Sequence, residues 1–141
     1  MNRVKVNPVR ALQKCGQSMW LDFLARGFIA KGHLERLVDD DGSRGVTSNP
    51  SIFEKAIGSS DEYDVDIRHM LQNNDCGVGE SYERLAVDDI KHAADVLRPV
   101  YDATGGADGY VSMEVSPYLA METDATIAEL SDCGARSIAR T

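Results

Sequence analysis

Apolar and polar positions along the chain follow two spacings, one typical of strands and one typical of helices. Short apolar or alternating runs predict strands at residues 18–21, 45–48 and 110–115. Between these runs, apolar side chains recur every three or four residues, which predicts helices. Strands that alternate with helices are typical of a parallel sheet. The pattern therefore predicts an α/β fold with about three parallel strands.

Helical spacing locates the helices between and after these strands. The predicted helical stretches are residues 32–38, residues 50–57, a face formed by Tyr63, Ile67, Met70 and Leu71, a short helix marked by Tyr82 and Leu85, a longer one over residues 90–101, and a last one over residues 123–129. Asn49 and Pro50 are typical of a helix start, because the asparagine side chain caps free backbone N–H groups and proline suits the first turn. Thr123 is a second candidate cap.

Polar side chains fall at or near the ends of the predicted strands, namely Asp22, Asn49 and Glu114. Ligands of parallel α/β folds gather at the carboxyl ends of the strands, so these residues are the candidates for a site. Two carboxylates there could share acid–base work if their environments separate their pKa values. They could also hold a hard cation together with Asn49. Each residue has a structural interpretation too: Asn49 as a helix cap, Asp22 as a turn cap, and Glu114 in an ion pair.

The composition is that of a folded domain with an acidic surface. Hydrophobic residues make up 43% of the 141 residues, which is enough for a packed core. The formal net charge is -8, which disfavours nucleic acid and anionic membranes as partners because phosphate groups attract clustered lysine and arginine. A small phosphorylated substrate needs only one local basic pocket and is compatible with this charge.

The cysteines and the N-terminal sequence bear on the cellular compartment. Cys15, Cys76 and Cys133 are far apart and form no Cys-x-x-Cys pair, so neither a disulfide framework nor a zinc site is indicated. No apolar stretch at the N-terminus is long enough for a signal peptide, and none elsewhere has the length of a membrane span. We therefore expect a cytoplasmic protein that does not bind membranes.

Separated motifs carry a resemblance to a known family. GVTSNPSIF (45–53) resembles the transaldolase signature, and DGYVSMEVSP (108–117) resembles the third barrel strand of that family. WLDFLARG (20–27) and DDIKHAADVLRPVYDATGG (88–106) are similar to further transaldolase segments, in the form with a helical insertion before the third strand. The resemblance covers about residues 7–129 and implies the N-terminal portion of a (β/α)8 TIM barrel.

This resemblance implies an enzyme that works through a lysine Schiff base and needs no metal or organic cofactor. Transaldolases move a dihydroxyacetone unit from a ketose phosphate to an aldose phosphate in the pentose phosphate pathway. By resemblance, Asp22 would take the hydroxyl proton as the carbon–carbon bond breaks, and Glu114 would shuttle protons through a water during imine formation. Asn49 would hydrogen-bond the hydroxyls of the dihydroxyacetone unit. The implied partners are small-molecule sugar phosphates.

One part of the family's chemistry has no counterpart in the sequence. The nucleophilic lysine of transaldolases lies on the fourth strand, in a stretch like M-I-K-V-P-A-T, and no such stretch occurs here. The lysines of this chain all lie outside any matching motif; they are Lys5, Lys14, Lys31, Lys55 and Lys91. We therefore expect a transaldolase-like chain that is inactive by itself.

The last residues depart from the family pattern. After TIAE (126–129), transaldolases continue roughly as A-x-R-L-W-x-x-V-x-R-P-N-L-M, whereas this chain reads LSDCGARSIART. In one reverse translation, restoring a single base within codon 129 gives E-A-L-R-L-W-R-A-V-H-R-P-N-L. We therefore expect residues 1–129 to form a partial transaldolase-like barrel and residues 130–141 to be a frameshifted, non-native tail.

Two other hypotheses stay open. The chain could be the transaldolase part of a fusion with a sugar-phosphate isomerase. It could instead be a non-catalytic α/β module that binds a sugar or a cation through Asp22, Asn49 and Glu114. Trapping of a ketose phosphate on a lysine with borohydride distinguishes an enzyme from a binding module.

Overall fold

A small parallel sheet lies at the centre of the molecule. The computed structural model describes residues 7–72, 77–114 and 121–138 of the chain. The strands are β1 (Trp20–Asp22), β2 (Gly45–Thr47) and β3 (Tyr110–Ser112). They pair in parallel in the order β1-β2-β3. The predicted α/β fold with three parallel strands and helices is confirmed, and it is consistent with part of a TIM barrel.

Each strand lies close to its predicted position. β1 begins at Trp20, later than predicted, and includes Asp22 as its last residue. β2 ends at Thr47, one residue before the predicted end. β3 begins at Tyr110 as predicted and is shorter than expected. Val115, the predicted end of the third strand, lies outside the described residues.

Helices occupy most of the remaining described chain. They are α1 (Pro8–Gln13), α2 (Arg26–Ala30), α3 (His33–Arg36), α4 (Pro50–Ser59), α5 (Asp64–Gln72), α6 (Val78–Thr104) and α7 (Thr123–Ile138). A π-helical turn, Leu37–Asp41, continues α3. The sequence pattern did not predict α1 and α2, which are only one or two turns long. The predicted helix start at Thr123 is confirmed, with Thr123 as the first residue of α7 and not its cap.

A single long helix replaces two predicted ones. The short helix marked by Tyr82 and Leu85 and the longer one over residues 90–101 both belong to α6, which has 27 residues. Residues 88 and 89, between the two predicted helices, lie inside α6. Pro99 lies inside the helix without ending it, at the cost of one backbone hydrogen bond.

The strand register assigns the side chains of the sheet to two faces. Leu21, Val46 and Val111 lie side by side in one row across the three strands. Because side chains alternate along a strand, the rows before and after it point to the opposite face. The row Leu21–Val46–Val111 faces the helices: Val46 is fully buried, and the other two pack against the same core.

The hydrophobic core lies between this face of the sheet and the helices. α6 supplies one side of the core with an apolar stripe, and single residues of the other elements complete it. The buried core residues are Leu24, Leu34, Val46, Phe53, Ala86, Ile90, Ala93, Leu97 and Val100. Burial of this apolar surface is the main term that holds the sheet against α6.

The opposite face of the sheet carries an aromatic side chain over a glycine. Trp20 lies across Gly45, its register partner on β2, and is 37% exposed. A Cβ added at Gly45 would lie 2.5 Å from the Trp20 ring carbons Cδ2 and Cε2, so only glycine allows this close approach. The approach fixes the indole against the sheet.

We expect Gly45→Ala to lower the free energy of unfolding by about 1–3 kcal/mol, because the new methyl group displaces the indole. Trp20 is the single tryptophan, so its fluorescence reports both the displacement and the urea-induced unfolding. Gly58→Ala is the control: no atom lies within 4 Å of its added Cβ in α4, and alanine favours helix by about 0.5–1 kcal/mol. Equal effects of the two substitutions would contradict the close approach of Trp20 to Gly45.

Candidate functional site

The carboxyl ends of the three strands bring the candidate residues to one edge of the sheet. Asp22 is the last residue of β1, and its register partners are Thr47 on β2 and Ser112 on β3. Asn49 and Glu114 each follow two residues after the last residue of their strands. The register therefore places all three candidates at the same end of the sheet. No direct hydrogen bond joins any two of them within the described part of the chain.

Asp22 lies on the face of the sheet opposite the hydrophobic core. The row Asp22–Thr47–Ser112 has the same orientation as the row of Trp20. The Thr47 hydroxyl donates a hydrogen bond to Asp22 Oδ1 over 2.7 Å, which orients the carboxylate. Asp22 is exposed. An oriented, accessible carboxylate at this position can accept a proton from a bound ligand.

Ser48 connects the segments that carry Asn49 and Glu114. Its backbone N–H donates to the Ser112 carbonyl over 3.0 Å, which extends the ladder beyond β2. Its hydroxyl, in a residue only 3% exposed, accepts from the Glu114 backbone N–H over 3.4 Å. Glu114 itself is exposed. The two strand-end segments are therefore held together by a buried hydroxyl.

Asn49 caps helix α4, as the sequence predicts. Its side-chain oxygen accepts a hydrogen bond from the Ser51 backbone N–H over 2.9 Å, and Pro50 occupies the first helical position. This bond uses the amide oxygen and fixes the side chain beside the strand end. The amide nitrogen is a donor that the cap does not use, and it can serve a ligand hydroxyl.

A buried ion pair, which the sequence pattern did not predict, joins Arg26 at the start of α2 to Asp89 of α6. Asp89 of α6 is fully buried and accepts hydrogen bonds from Arg26 Nε and from the Tyr63 hydroxyl, both over 2.8 Å. The Arg26 guanidinium also lies 4.5 Å from the centre of the Tyr63 ring, and it pairs with Asp66 of α5. This network joins the start of α2, just after β1, to α5 and α6.

The pKa values in this network follow from burial and from the partners. Burial raises the pKa of Asp89, while the hydrogen bonds from Arg26 and Tyr63 oppose that shift. Burial also raises the pKa of Tyr63, with the neighbouring Asp89 adding to the shift. Tyr63 therefore stays protonated and donates to Asp89 throughout the physiological range.

One signal in the sequence could have revealed the network. Asp89 is four residues after Leu85 and four before Ala93, on the stripe that faces the core. A carboxylate on an apolar helix face requires a buried cation or hydrogen-bond donors. The sequence does not say which residues supply them, because Arg26 and Tyr63 are distant along the chain.

A cleft of about 660 Å³ lies beside the same network rather than at the strand ends. Arg26 lines it together with acidic residues of α5 and α6, among them Asp66 and Asp95. Within residues 7–72, 77–114 and 121–138, no group of three or more His, Cys, Asp or Glu side chains is arranged to hold a metal ion. In the same residues, no helix combines the length and the apolar character needed to cross a membrane.

Comparisons with known proteins bear on this edge of the sheet. The family model described as "Transaldolase/Fructose-6-phosphate aldolase" matches residues 19–133. A transaldolase of Trichodesmium erythraeum is 44% identical over 123 residues, which are 87% of this chain and 32% of the relative. A transaldolase of Frankia alni is 46% identical over 123 residues, 87% of this chain and 33% of the relative. One of Thiobacillus denitrificans is 41% identical over 124 residues, 88% of this chain and 34% of the relative.

These relatives are about three times as long as the segment that they share with this chain. The chain spans about a third of the length of the curated relatives it matches. All three candidate residues lie inside the matched range, as do the strands and α6.

Proposed function

Because this chain belongs to the transaldolase/fructose-6-phosphate aldolase family, we propose that its strand ends form part of a transaldolase site. The reaction would move a dihydroxyacetone unit from a ketose phosphate to an aldose phosphate, in the cytoplasm and within the pentose phosphate pathway. The observation that supports this is the shared edge: the Asp22 carboxylate is oriented by Thr47 beside the strand-end segments that Ser48 joins. Curated relatives named transaldolase favour this reaction over a simple aldol cleavage.

Each candidate residue has a role that its surroundings permit. Asp22, exposed and oriented, would take the hydroxyl proton of the sugar as the carbon–carbon bond breaks. Glu114, also exposed, would move protons through a water while the imine forms. Asn49 would bind the hydroxyls of the dihydroxyacetone unit with the amide nitrogen that its capping bond leaves available.

The Schiff-base lysine would come from outside this sequence. An imine accepts electrons from the breaking bond because its nitrogen carries positive charge, and this requires a lysine amine that is deprotonated before attack. No lysine of this chain lies in a stretch that matches the family's lysine motif. We therefore propose that the 141-residue chain has no transaldolase turnover by itself.

A chimeric enzyme tests the proposed function. Residues 7–129 of this chain replace the matching third of the Trichodesmium erythraeum transaldolase, and turnover is measured with a coupled assay. We expect the chimera to turn over and borohydride to trap a ketose phosphate on a lysine outside the grafted segment. The isolated chain is expected to give neither turnover nor an adduct. Turnover by the isolated chain, or reversible binding without trapping in both proteins, would contradict the proposal; the second result favours a binding module.

Asn49→Asp separates the capping role of Asn49 from its proposed substrate role. Aspartate keeps an oxygen for the Ser51 N–H and caps helices about as well as asparagine, so the free energy of unfolding should change by less than about 0.5 kcal/mol. The amide donor is lost, so kcat/KM of the chimera should fall about tenfold. Asn49→Ala is the comparison and should lower stability as well, by about 1 kcal/mol. Full activity of Asn49→Asp would show that substrate does not use the amide.

We further propose that residues 130–141 are a frameshifted tail, and that residues 1–129 are the part of the chain related to transaldolases. Helix α7 continues across residue 129, so no element boundary separates the two parts. The nucleotide sequence around codon 129 tests this. A single-base change there should open a longer frame that reads into the Leu-Trp and Arg-Pro-Asn pattern of the family, or into a fused isomerase. The absence of such a frame would contradict it.

A further inference from the structure

The start of helix α2 has no capping side chain of its own. Ala25 precedes the helix, and no side-chain hydrogen bond caps it there. The first backbone N–H groups of a helix need partners from elsewhere, because no earlier turn supplies carbonyls for them. Here the partners come from the residues just before α5. The Tyr63 hydroxyl accepts from the Arg26 N–H over 3.1 Å. The Glu62 carboxylate accepts from the Gly27 N–H over 2.9 Å.

The Tyr63 hydroxyl also closes a ring of hydrogen bonds around Arg26. It accepts from the Arg26 backbone N–H and donates to Asp89 Oδ2 over 2.8 Å. The second carboxylate oxygen of Asp89 accepts from Arg26 Nε over 2.8 Å. Arg26 is therefore held at its backbone and at its side chain at once. Tyr63 and Asp89 are fully buried, which shields these bonds from competing water.

The connection between this ring and Asp22 is short. Asp22 ends β1 and Arg26 begins α2, so only three residues separate them. The middle one, Leu24, is fully buried in the hydrophobic core. Because consecutive Cα atoms are only about 3.8 Å apart, so short a connection transmits a shift of Arg26 to the end of β1. The Thr47 hydroxyl orients the Asp22 carboxylate, but it does not hold the backbone on the α2 side of Asp22.

We propose that Tyr63 is a positioning residue for Asp22: through Arg26 it holds the backbone that follows β1 and so keeps the Asp22 carboxylate in place for proton transfer. This role rests on the proposed function, in which Asp22 takes a proton from the bound sugar. Tyr63 acts through Arg26 and not on the substrate. Proton transfer needs the two heavy atoms within about 2.6–3.2 Å of each other, so a small displacement of Asp22 is costly.

Stability alone does not account for the polar ring. Buried ion pairs are often no more stabilising than apolar side chains of similar volume. A phenylalanine would fill the space of the Tyr63 ring equally well. What the hydroxyl adds is direction, because hydrogen bonds prefer one geometry whereas apolar contacts do not. Gly27 follows the same requirement: an added Cβ would overlap the Glu62 carboxylate, so glycine lets this carboxylate reach the start of α2.

Tyr63→Phe in the chimeric enzyme tests the role in turnover. The ring is retained and only the hydroxyl is lost. We expect kcat to fall about 10- to 100-fold, as when a reacting group is displaced by about 1 Å. KM should stay within about twofold, since no group that binds the sugar is changed. Tyr110→Phe is the matched control. Its hydroxyl donates to the Gly106 carbonyl over 2.6 Å at the start of β3, and its removal should change kcat by less than about twofold.

A double substitution separates positioning from a general loss of stability. If Tyr63 acts through Asp22, Tyr63→Phe lowers kcat of the Asp22→Asn chimera by less than about twofold, because the positioned group has already lost its function. A general loss of stability lowers kcat by the same factor in both backgrounds. Glu62→Ala is a second variant, and it decides if Tyr63→Phe does not fold. It removes the partner of the Gly27 N–H from a partly exposed position and should lower kcat less, with the same dependence on Asp22.

A measurement on the full 141-residue chain needs no turnover. NMR follows the carboxyl carbon of Asp22 and the backbone amides of residues 23–25. In Tyr63→Phe we expect the Asp22 resonance to shift or broaden, and these amides to exchange at least about tenfold faster. Neither change is expected in Tyr110→Phe.

Three results would overturn the positioning role. They are an unchanged Asp22 resonance in Tyr63→Phe, equal kcat values for Tyr63→Phe and Tyr110→Phe, and a loss of kcat that is the same with and without Asp22→Asn. An inactive parent chimera contradicts the proposed function instead. The NMR measurement then decides whether Tyr63 positions Asp22.

Discussion

In the chimeric enzyme, Asp22→Asn lowers kcat/KM by about 10²- to 10⁴-fold, the range expected when a general acid–base residue is removed. Asparagine keeps the oxygen that accepts from the Thr47 hydroxyl, so the local geometry is retained. The ability to take a proton is lost. Because the proton leaves as the carbon–carbon bond breaks, we expect kcat to fall while KM changes little.

Asp61→Asn provides the matched control for this prediction. Asp61 is an exposed carboxylate in the turn before α5, away from the strand ends, and its replacement removes the same charge. We expect its activity to stay within about twofold of the parent chimera, as is usual for a surface substitution. If Asp22→Asn behaves like Asp61→Asn, Asp22 has no part in proton transfer.

Arg26→Met lowers the free energy of unfolding of the chain by about 3–5 kcal/mol. The substitution leaves the fully buried Asp89 carboxylate without its cation, and an uncompensated buried charge is strongly destabilising. Methionine retains much of the arginine stem, so lost packing contributes little of this change. Urea unfolding followed by circular dichroism measures the difference.

Two further variants show whether the buried charge is the cause. Arg68→Met removes an exposed ion pair with Asp64 and should cost at most about 0.5 kcal/mol, as expected of pairs in solvent. Combining Arg26→Met with Asp89→Leu removes both charges and should recover part of the loss. An Arg26→Met effect as small as that of Arg68→Met would show that water or another group compensates Asp89.

The strands, and the edge that their carboxyl ends share, could be predicted from the sequence because local patterns determine them. Short apolar runs identified β1 and β2 within two residues, and the Asn-Pro pair after β2 predicted the cap of α4. Polar residues at strand ends pointed to Asp22, Asn49 and Glu114. Parallel pairing then puts them at one edge, since it aligns the carboxyl ends of neighbouring strands.

Contacts between segments that are distant along the chain could not be predicted. The hydroxyl of Thr47 against Asp22, and that of Ser48 against the Glu114 backbone, depend on the strand register, which no local pattern determines. Asp89 is a further case. It occupies a core position of α6, where Arg26 and Tyr63 satisfy its carboxylate. No local pattern shows that these two partners lie beside it.

The order of the strands has a consequence for synthesis on the ribosome. β2 lies between strands from opposite parts of the described chain: β1 precedes it across two short helices, whereas β3 follows only after α4, α5 and α6. Nascent chains emerge from the N-terminus, so β1 and β2 are available well before the third strand exists. During that interval the side of β2 that later pairs with β3 has no partner strand, and an unpaired strand edge is prone to pair with other chains.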